Sequence, residues 1–433
     1  MLRVYNALFP AARRLLPLAA GWNSKIGRGL EGRRGVVERR EALAPALGGR
    51  VILMHSTSVG EYEQARPLAA ELTRARSDLA ILHTFFSPSG FDYAERLGEA
   101  RYREYLPFDT PADVGRVLDA LRPRLLVFVK FDLWPNWVVE ADRRGIPVAL
   151  VDATLNPRSR RSRWPARALY TDLYRRLACI SAVDPDDAAR FRALAPTHPN
   201  LVVDGDTRFD QVWRRRNNAA RVPIAPVLQQ AQRPFTLLAG STWPADEALV
   251  LDAWHMWRAR VALGARLLLV PHEPTPSHLQ AVERRLASAN LRSVRLSALE
   301  RLDAIDAVVI DRVGMLAELY ACADAAYVGG AWGRGVHNII EPAIMGLPLF
   351  FGPRHHNAPE AEKLLETGAA VVIRSPHDLV QQLERLGDNA AERSHRGSQA
   401  RAFVEANLGA SERCAQRLLV LLAAASTHTR ESR

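Results

Sequence analysis

Lysine is nearly absent from these 433 residues: only Lys25, Lys130 and Lys363 stand among 58 basic side chains. The net charge of +11 is therefore an arginine charge, a bias that reads as genomic composition rather than as a binding device. It makes Lys130, set directly behind the apolar run Leu125-Leu126-Val127-Phe128-Val129, a residue to explain. Cysteine is equally scarce. Cys179, Cys322 and Cys414 lie far apart in no redox or metal spacing, which excludes a disulfide framework and implies a reducing compartment. Zinc and iron–sulfur sites are not expected on that count, and no metal or cofactor is called for. Long apolar runs are missing too: no segment reaches the ~20 uninterrupted apolar residues that span a bilayer.

The nearest approach is Leu2 to Trp22, which Arg13 and Arg14 interrupt and which lacks an evident small-residue cleavage site. Two readings of it stand level. One is an amphipathic helix in a membrane interface, with Leu8, Phe9, Leu15, Leu16, Leu18 and Trp22 on the apolar side and Arg3, Arg13 and Arg14 toward headgroups. The other is a helix packed on the protein itself. A hydrophobic content of 48% against 24% charged residues marks a folded chain, and its length calls for two domains. The positive balance suits an anionic partner: nucleic acid, an anionic membrane surface or a phosphorylated substrate. The arginines are spread through the chain and no nucleic-acid motif appears, which argues against the first.

Strand-length apolar runs alternate with helical stretches, the rhythm of βαβ units and a parallel sheet. Strands are predicted at Val51 to Met54, Ala80 to His83, Leu125 to Val129, Pro147 to Val151 and Leu177 to Ser181. A second series follows at Phe235 to Ala239, Arg266 to Val270, Ala307 to Ile310, Ala325 to Val328 and Leu347 to Phe351. Between the two series lies a polar stretch containing Arg214-Arg215-Arg216-Asn217-Asn218. The predicted organisation is a membrane-proximal segment 1–45, a Rossmann-like domain 46–213, a linker 214–233, a second Rossmann-like domain 234–425 and a tail 426–433. The predicted fold class is α/β, two doubly wound domains with an interdomain cleft.

Chemistry enters at the strand ends. After the first run comes His55-Ser56-Thr57-Ser58-Val59-Gly60-Glu61-Tyr62-Glu63-Gln64, where Ser56, Thr57 and Ser58 offer caps, Gly60 a tight turn and Glu61 a carboxylate. Ligands of open α/β sheets bind beyond the carboxyl ends of the strands, so Glu61 is a candidate base; the plain alternative is an acid complementing a helix dipole. In the second half, Tyr327-Val328-Gly329-Gly330-Ala331-Trp332-Gly333-Arg334-Gly335 runs into His337, Asn338 and Glu341. Glycines there let backbone N–H groups approach a phosphate, and an acid one turn on can accept from ribose hydroxyls. Gly240-Ser241-Thr242-Trp243 repeats the strand, glycine and hydroxyl logic, with a cap or a phosphate ligand as the alternatives.

These motifs, with Thr84-Phe85-Phe86-Ser87-Pro88-Ser89-Gly90, Leu106-Pro107-Phe108-Asp109, Leu133-Trp134-Pro135-Asn136, Gly205-Asp206-Thr207-Arg208-Phe209-Asp210, Asp311 to Tyr320 and Gly352-Pro353 with Asn357, resemble the 3-deoxy-D-manno-octulosonic acid (Kdo) transferases over almost the whole chain. The resemblance implies an inverting GT-B glycosyltransferase that moves Kdo from CMP-Kdo to a lipid A precursor such as lipid IV(A), at the cytoplasmic face of the inner membrane. It implies Glu61 as general base, with Ser58, Gly60, Arg158 and Arg161 toward the acceptor. The implied donor set is Ser241, Thr242, Pro271, His272, Val313, Gly314, Met315, Gly335, His337, Asn338, Ile340 and Glu341, with Glu341 on the ribose. His337 is a phosphate ligand or a residue that orders its loop. CMP-Kdo is a substrate, and no metal is implied.

Three departures from the family pattern stand out. Lys130 replaces an acid, and its contact is assigned to the donor's sugar carboxylate, since pairing with Glu61 would weaken the base. Pro271-His272-Glu273 replaces Pro-Arg-His. Asp152-Ala153-Thr154-Leu155 replaces Asn-Ala-Arg-Leu, with Arg158, Arg160, Arg161 and Arg163 close behind to meet acceptor phosphates. The runner-up reading is a GT-B transferase using a UDP-sugar; a basic binding module comes last. The number of Kdo units, the acyl preference and the oligomeric state are not legible in the residues.

Overall fold

The computed structural model describes residues 1–20, 24–219, 235–260, 264–299 and 305–431. Trp22, most of the predicted linker and the last two residues lie outside them. The chain divides into two compact units, residues 1–211 with 408–433, and residues 212–407.

The first unit is built on seven parallel strands: β1 (Val51–Ser56), β2 (Ala80–Phe85), β3 (Tyr102–Tyr105), β4 (Leu125–Val129), β5 (Val148–Ala153), β6 (Cys179–Ala182) and β7 (Leu201–Val203), in the order β3-β2-β1-β4-β5-β6-β7. Both faces are covered by helices, which is why β1 and β4 are buried at every position, β4 as a continuous apolar run and β1 as one up to Met54, with His55 and Ser56 at its end. β1 sets Ile52 opposite Leu125 and His55 opposite Phe128. Because the chain winds outward from β1 in both directions, the crossovers leave a crevice at the carboxyl ends of β1 and β4.

The second unit has β8 (Phe235–Thr242), β9 (Ala265–Pro271), β10 (Ser293–Arg295), β11 (Ala307–Val309), β12 (Ala325–Val328), β13 (Leu349–Phe351) and β14 (Ala370–Val372), all parallel, ordered β10-β11-β9-β8-β12-β13-β14. Its reversal falls between β8 and β12, where Ala325 pairs with Leu237 and Val328 with Gly240. Every strand expected from the sequence is present. The four that were not foreseen, β3, β7, β10 and β14, are the four sheet edges. All four are short and only partly buried: β3 and β10 carry charged residues, while β7 and β14 are apolar but only three residues long.

The predicted domain limits need correction at both ends. Residues 1–45 are not a separate segment: the helix Val36–Leu47 packs on the helix Pro111–Leu121, and Val36, Val37 and Leu47 join the first core. The second domain does not run to 425. The terminal helix Ala410–Glu431 lies on the helix Val59–Ala75 of the first unit, where Cys414, Ala415, Leu418 and Leu422 pack with Ile52, Met54, Leu68 and Leu72. The stretch Arg214 to Asn217 expected to be irregular belongs to a helix, Thr207–Ala219.

Asp210 explains the return. Its carboxylate accepts the N–H groups of Gly409 at 2.7 Å and Ser411 at 2.6 Å, capping the terminal helix, while Arg417 Nε donates to Asp204 at 2.7 Å. The same motif resolves one departure. Thr207 Oγ1 lies 2.8 Å from the Gln64 carbonyl, which only accepts, and 2.6 Å from Asp152 Oδ2. One hydroxyl proton cannot serve both, so with that proton on the carbonyl, Asp152 must donate its own. Burial, and then the Asp206 charge, push the Asp152 carboxyl well up, which keeps that proton in place at neutral pH. A protonated Asp152 donates as an asparagine would.

The N-terminal helix, Leu2–Ala20, packs on the protein by one side. Asn6 Oδ1 accepts from Asn136 Nδ2 at 2.8 Å, the Tyr5 hydroxyl bonds Asp109, and Arg13 sits 4.5 Å from the centre of the Phe108 ring. The other side leaves Val4 and Leu8 exposed at 51% and 64%. The expectation of a helix packed on the protein thus holds for one side, and the side chains of Leu15 and Leu18 lie outside the described residues. No helix among the described residues is long and apolar enough to cross a membrane.

Asp210→Ala removes two cap acceptors from the terminal helix and is expected to cost about 1–2 kcal/mol. Hydrogen exchange should then accelerate selectively in residues 410–424, as peptide-resolved mass spectrometry would record.

Candidate active site

In the first unit the loops after β1 and β4 meet at the reversal of the sheet. Ser58 starts the helix Val59–Ala75 in extended conformation, yet its side chain makes no cap. The expected hydroxyl caps are thus replaced: Glu61, three residues on, turns its Oε2 back to accept the Thr57 N–H. Glu61 is buried, at 5% exposure. Burial is the largest influence on its carboxyl and the Asp132 charge adds to it; the Thr57 and Ser58 N–H groups and Lys130 pull the other way. Burial prevails, and the pKa is raised to about 7. The group therefore caps a helix and is also poised to exchange a proton near neutral pH.

Its surroundings are rigid. Trp134 Nε1–H donates to His55 Nε2 at 3.1 Å. An indole only donates, so the His55 proton sits on Nδ1 and goes to Thr84 Oγ1 at 2.9 Å. Burial lowers the His55 pKa to about 3, keeping the ring neutral. Asp109 accepts the N–H groups of Asn136 at 3.1 Å and Trp137 at 3.2 Å, capping the helix Pro135–Arg143. The Trp134-Pro135-Asn136 and Leu106-to-Asp109 motifs hold the β1 and β4 loops in register behind Glu61.

Lys130, at φ 75°, makes no ion pair with Glu61 among the described residues. Arg161 donates to Asp132 at 3.2 Å and lies over the rings of Phe131 and Tyr170. Of the expected acceptor residues, Arg161 is thus tied to the Glu61 surroundings through Asp132. Ser58 and Gly60 both precede Glu61; Gly60, expected at a tight turn, lies instead in the first turn of the helix Val59–Ala75 with open space around it, and Arg158 is exposed on the loop after β5.

The second unit repeats the arrangement at β8 and β12. Gly329 N–H donates to Gly240 O at 2.9 Å, and a Cβ on Gly329 would lie 2.4 Å from Ser241 O, so only glycine lets the two strand ends approach. Gly330, at φ 96°, donates its N–H to Asp246 Oδ2 at 2.9 Å. Asp246 also accepts from Trp243 N–H at 3.0 Å and the Tyr327 hydroxyl at 3.1 Å. This buried carboxylate locks the glycine loop to the helix Pro244–Arg258. Sequence reasoning passed over its role, though an acid three residues after Trp243 at a Pro-started helix is a capping-box signal.

Trp243, His272 and His337 form a stack, with His272 and His337 ring centres 4.3 Å apart and Trp243 and His272 4.9 Å apart. Trp243 Nε1–H donates to His337 Nε2 at 2.9 Å, so the His337 proton is on Nδ1. Burial and the neighbouring His272 lower the His337 pKa to about 4. His337 orders its loop and retains one ring N–H as a neutral donor. Thr242 is buried with its hydroxyl given to Glu247 at 3.0 Å, whereas Ser241, at φ 53°, stays half-buried at the loop. Asn338 caps Ile340 N–H at 3.0 Å, and Glu341 holds Arg215 at 3.0 Å. Pro271 closes β9 and Gly335 the glycine loop, and Val313, Gly314 and Met315 follow β11, with Val313 71% exposed.

Residues 28–211 match the family described as 3-deoxy-D-manno-octulosonic-acid transferase (kdotransferase). The chain is 29% identical over 389 residues to the 3-deoxy-D-manno-octulosonic acid transferase of Bordetella pertussis, covering 87% of this chain and 88% of the relative. It is 27% identical over 376 residues to that of Haemophilus influenzae, covering 86% of each. Among solved structures, the UDP-GlcNAc 2-epimerase of Neisseria meningitidis bound to UDP-GlcNAc aligns with a TM-score of 0.63 at 13% identity, over 85% of this chain and 99% of that one. MurG of Acinetobacter baumannii aligns with a TM-score of 0.53 at 14% identity, over 85% and 98%. These structures show the GT-B fold, as expected. In sequence, the resemblance runs to the Kdo transferases along most of the chain.

Because the folded pKa of Glu61 lies above its unfolded value near 4.5, the folded state holds an extra proton between the two and loses that stabilisation as pH rises through about 7. Glu61→Gln should therefore leave the melting temperature unchanged at pH 4 and raise it at pH 8. The gain is on the order of 3 kcal/mol at most, measured by denaturant melts at the two pH values.

Proposed function

Starting from this kinship with the Kdo transferases, we propose that the protein is an inverting transferase moving Kdo from CMP-Kdo to a lipid A precursor such as lipid IV(A). The observation that carries the reading is Glu61: a buried carboxyl at the reversal of the first sheet, with a pKa raised to about 7. A base of that strength takes the proton of an acceptor sugar hydroxyl as its oxygen attacks the anomeric carbon. The bond from that carbon to the CMP phosphate breaks, charge on the sugar passes through an oxocarbenium-like state, and CMP departs as a phosphate monoester.

Donor recognition falls to the loops after β8 and β12. Ser241 and the glycine loop supply donors for the phosphate, and His337 adds its Nδ1–H. Thr242, with its hydroxyl engaged, serves by fixing Ser241. A ribose contact by Glu341 has to be shared with Arg215. Lys130 carries a charge suited to the sugar carboxylate, and Arg161 and Arg158 suit acceptor phosphates. Membrane association is peripheral, at the cytoplasmic face of the inner membrane, through the exposed Val4 and Leu8 side of the first helix and through Trp164, which is 88% exposed beside Arg158 to Arg163.

The test is CMP release from CMP-Kdo in the presence of lipid IV(A). Glu61→Gln is expected to lower kcat by a factor of ~10² or more; full activity in this variant removes the base, and wild-type turnover of a UDP-sugar alone removes the donor. The acid limb of kcat/KM should lie near pH 7, moving lower in Asp132→Asn and higher in Lys130→Met, since those charges act on Glu61 with opposite signs. Unchanged CMP-Kdo affinity in Lys130→Met would dismiss the carboxylate contact.

A further inference from the structure

Outside both strand-end sites, the loop after β13 brings two adjacent histidines against one carboxylate. His355 Nε2 lies 3.2 Å, and His356 Nδ1 3.4 Å, from the same oxygen, Oε1 of Glu362. Ligand atoms of all three lie within 4.8 Å of one another. His355 is 7% exposed, packed on the Phe351 ring, and its Nδ1 is buried with no hydrogen-bond partner. Glu362 and His356 stand open to solvent. No part of the transfer chemistry above uses these residues.

We propose that His355, His356 and Glu362 form a binding site for a borderline divalent cation of the Zn²⁺ class. Tetrahedral zinc, with bonds of about 2.0–2.2 Å to imidazole nitrogen and carboxylate oxygen, sets neighbouring ligand atoms roughly 3.3–3.5 Å apart. The separations of 3.2 and 3.4 Å to Glu362 Oε1 lie close to that spacing, and the third pair is within 4.8 Å, with the His356 ring exposed. Imidazole with one carboxylate selects zinc-like ions over magnesium or calcium, which require oxygen ligands throughout. Three protein ligands and an open side leave the fourth position to water, and the exposed side supplies the entry path. The expectation of no zinc rested on cysteine spacing; these ligands are histidine and glutamate.

Such an ion would brace the loop that holds the glycine loop. Arg354 N–H donates to Ala331 O at 2.9 Å, Val336 N–H donates to Arg354 O at 3.0 Å, and Asn357 Nδ2 donates to Val336 O at 2.9 Å. Glu362 lies on the next helix, Pro359–Glu366, so the ion ties this helix to the loop 352–357 and, through it, to residues 331–336.

The experiment is calorimetric titration of Zn²⁺ into the full-length, tag-free, chelator-stripped protein, repeated with His356→Ala and Glu362→Gln. Both replaced side chains are exposed, and melting in chelator verifies that the variants fold as the wild type does. One equivalent should bind to the wild type, raise its melting temperature and slow hydrogen exchange in residues 331–336, and excess Mg²⁺ should not displace it. Each variant should weaken binding about tenfold or more. Absence of stoichiometric Zn²⁺ binding, or equal affinity in wild type and both variants, overturns the site. Neither result depends on the identity of the sugar donor.

Discussion

A carboxylate removed from water at the start of a helix is pulled in opposite directions, and the first unit is arranged around that conflict. The N–H groups of Thr57 and Ser58 favour the charged Glu61; the surrounding protein and Asp132 favour the neutral one. Had the N–H groups prevailed, Glu61 would be a permanently ionised cap and a weak base. Burial prevails, and hydrogen bonds tie the surrounding loops together: Trp134 is bonded to His55, His55 to Thr84, and Asp109 to the helix behind Trp134. These contacts hold the ends of β1, β2 and β4 together, so the family motifs that look catalytic in sequence act mostly as the frame of one acid.

The second unit solves a parallel problem with a different group. Its glycine loop must turn sharply where β12 passes β8, and Gly329 allows the approach while Asp246 anchors Gly330. The stack of Trp243, His272 and His337 then fixes which nitrogen of His337 carries its proton. In both units the candidate residues sit where the strand order reverses, since there the outgoing crossovers part and leave the strand ends uncovered.

Much of this was legible along the chain. Apolar runs of strand length located all ten central strands, because buried parallel strands are apolar on both faces. Two edges escaped notice for the complementary reason: β3 reads Tyr-Arg-Glu-Tyr and β10 Ser-Val-Arg, residues a half-solvated edge tolerates, whereas β7 and β14 are apolar runs of three residues, too short to stand out. The destination of the terminal helix was hidden as well. Its sequence is that of any amphipathic helix, and only Asp210, about 200 residues earlier, specifies where it is capped. Asp152 was read as a departure from an asparagine, and the protonation that cancels the difference depends on Gln64, Asp206 and Thr207 converging on it.

Local order, then, was determined by the sequence alone: the βαβ rhythm, the glycine loop after β12, the position of an acid three residues into a helix and the resemblance to one family of transferases. All of these depend on residues near one another in the chain, where periodicity and turn chemistry act. The tertiary structure alone decided how strongly Glu61 holds a proton, which ring nitrogens of His55 and His337 are bare, and which acid is neutral. Those properties are set by the dielectric and the partners that distant segments supply, and no window along the chain contains them.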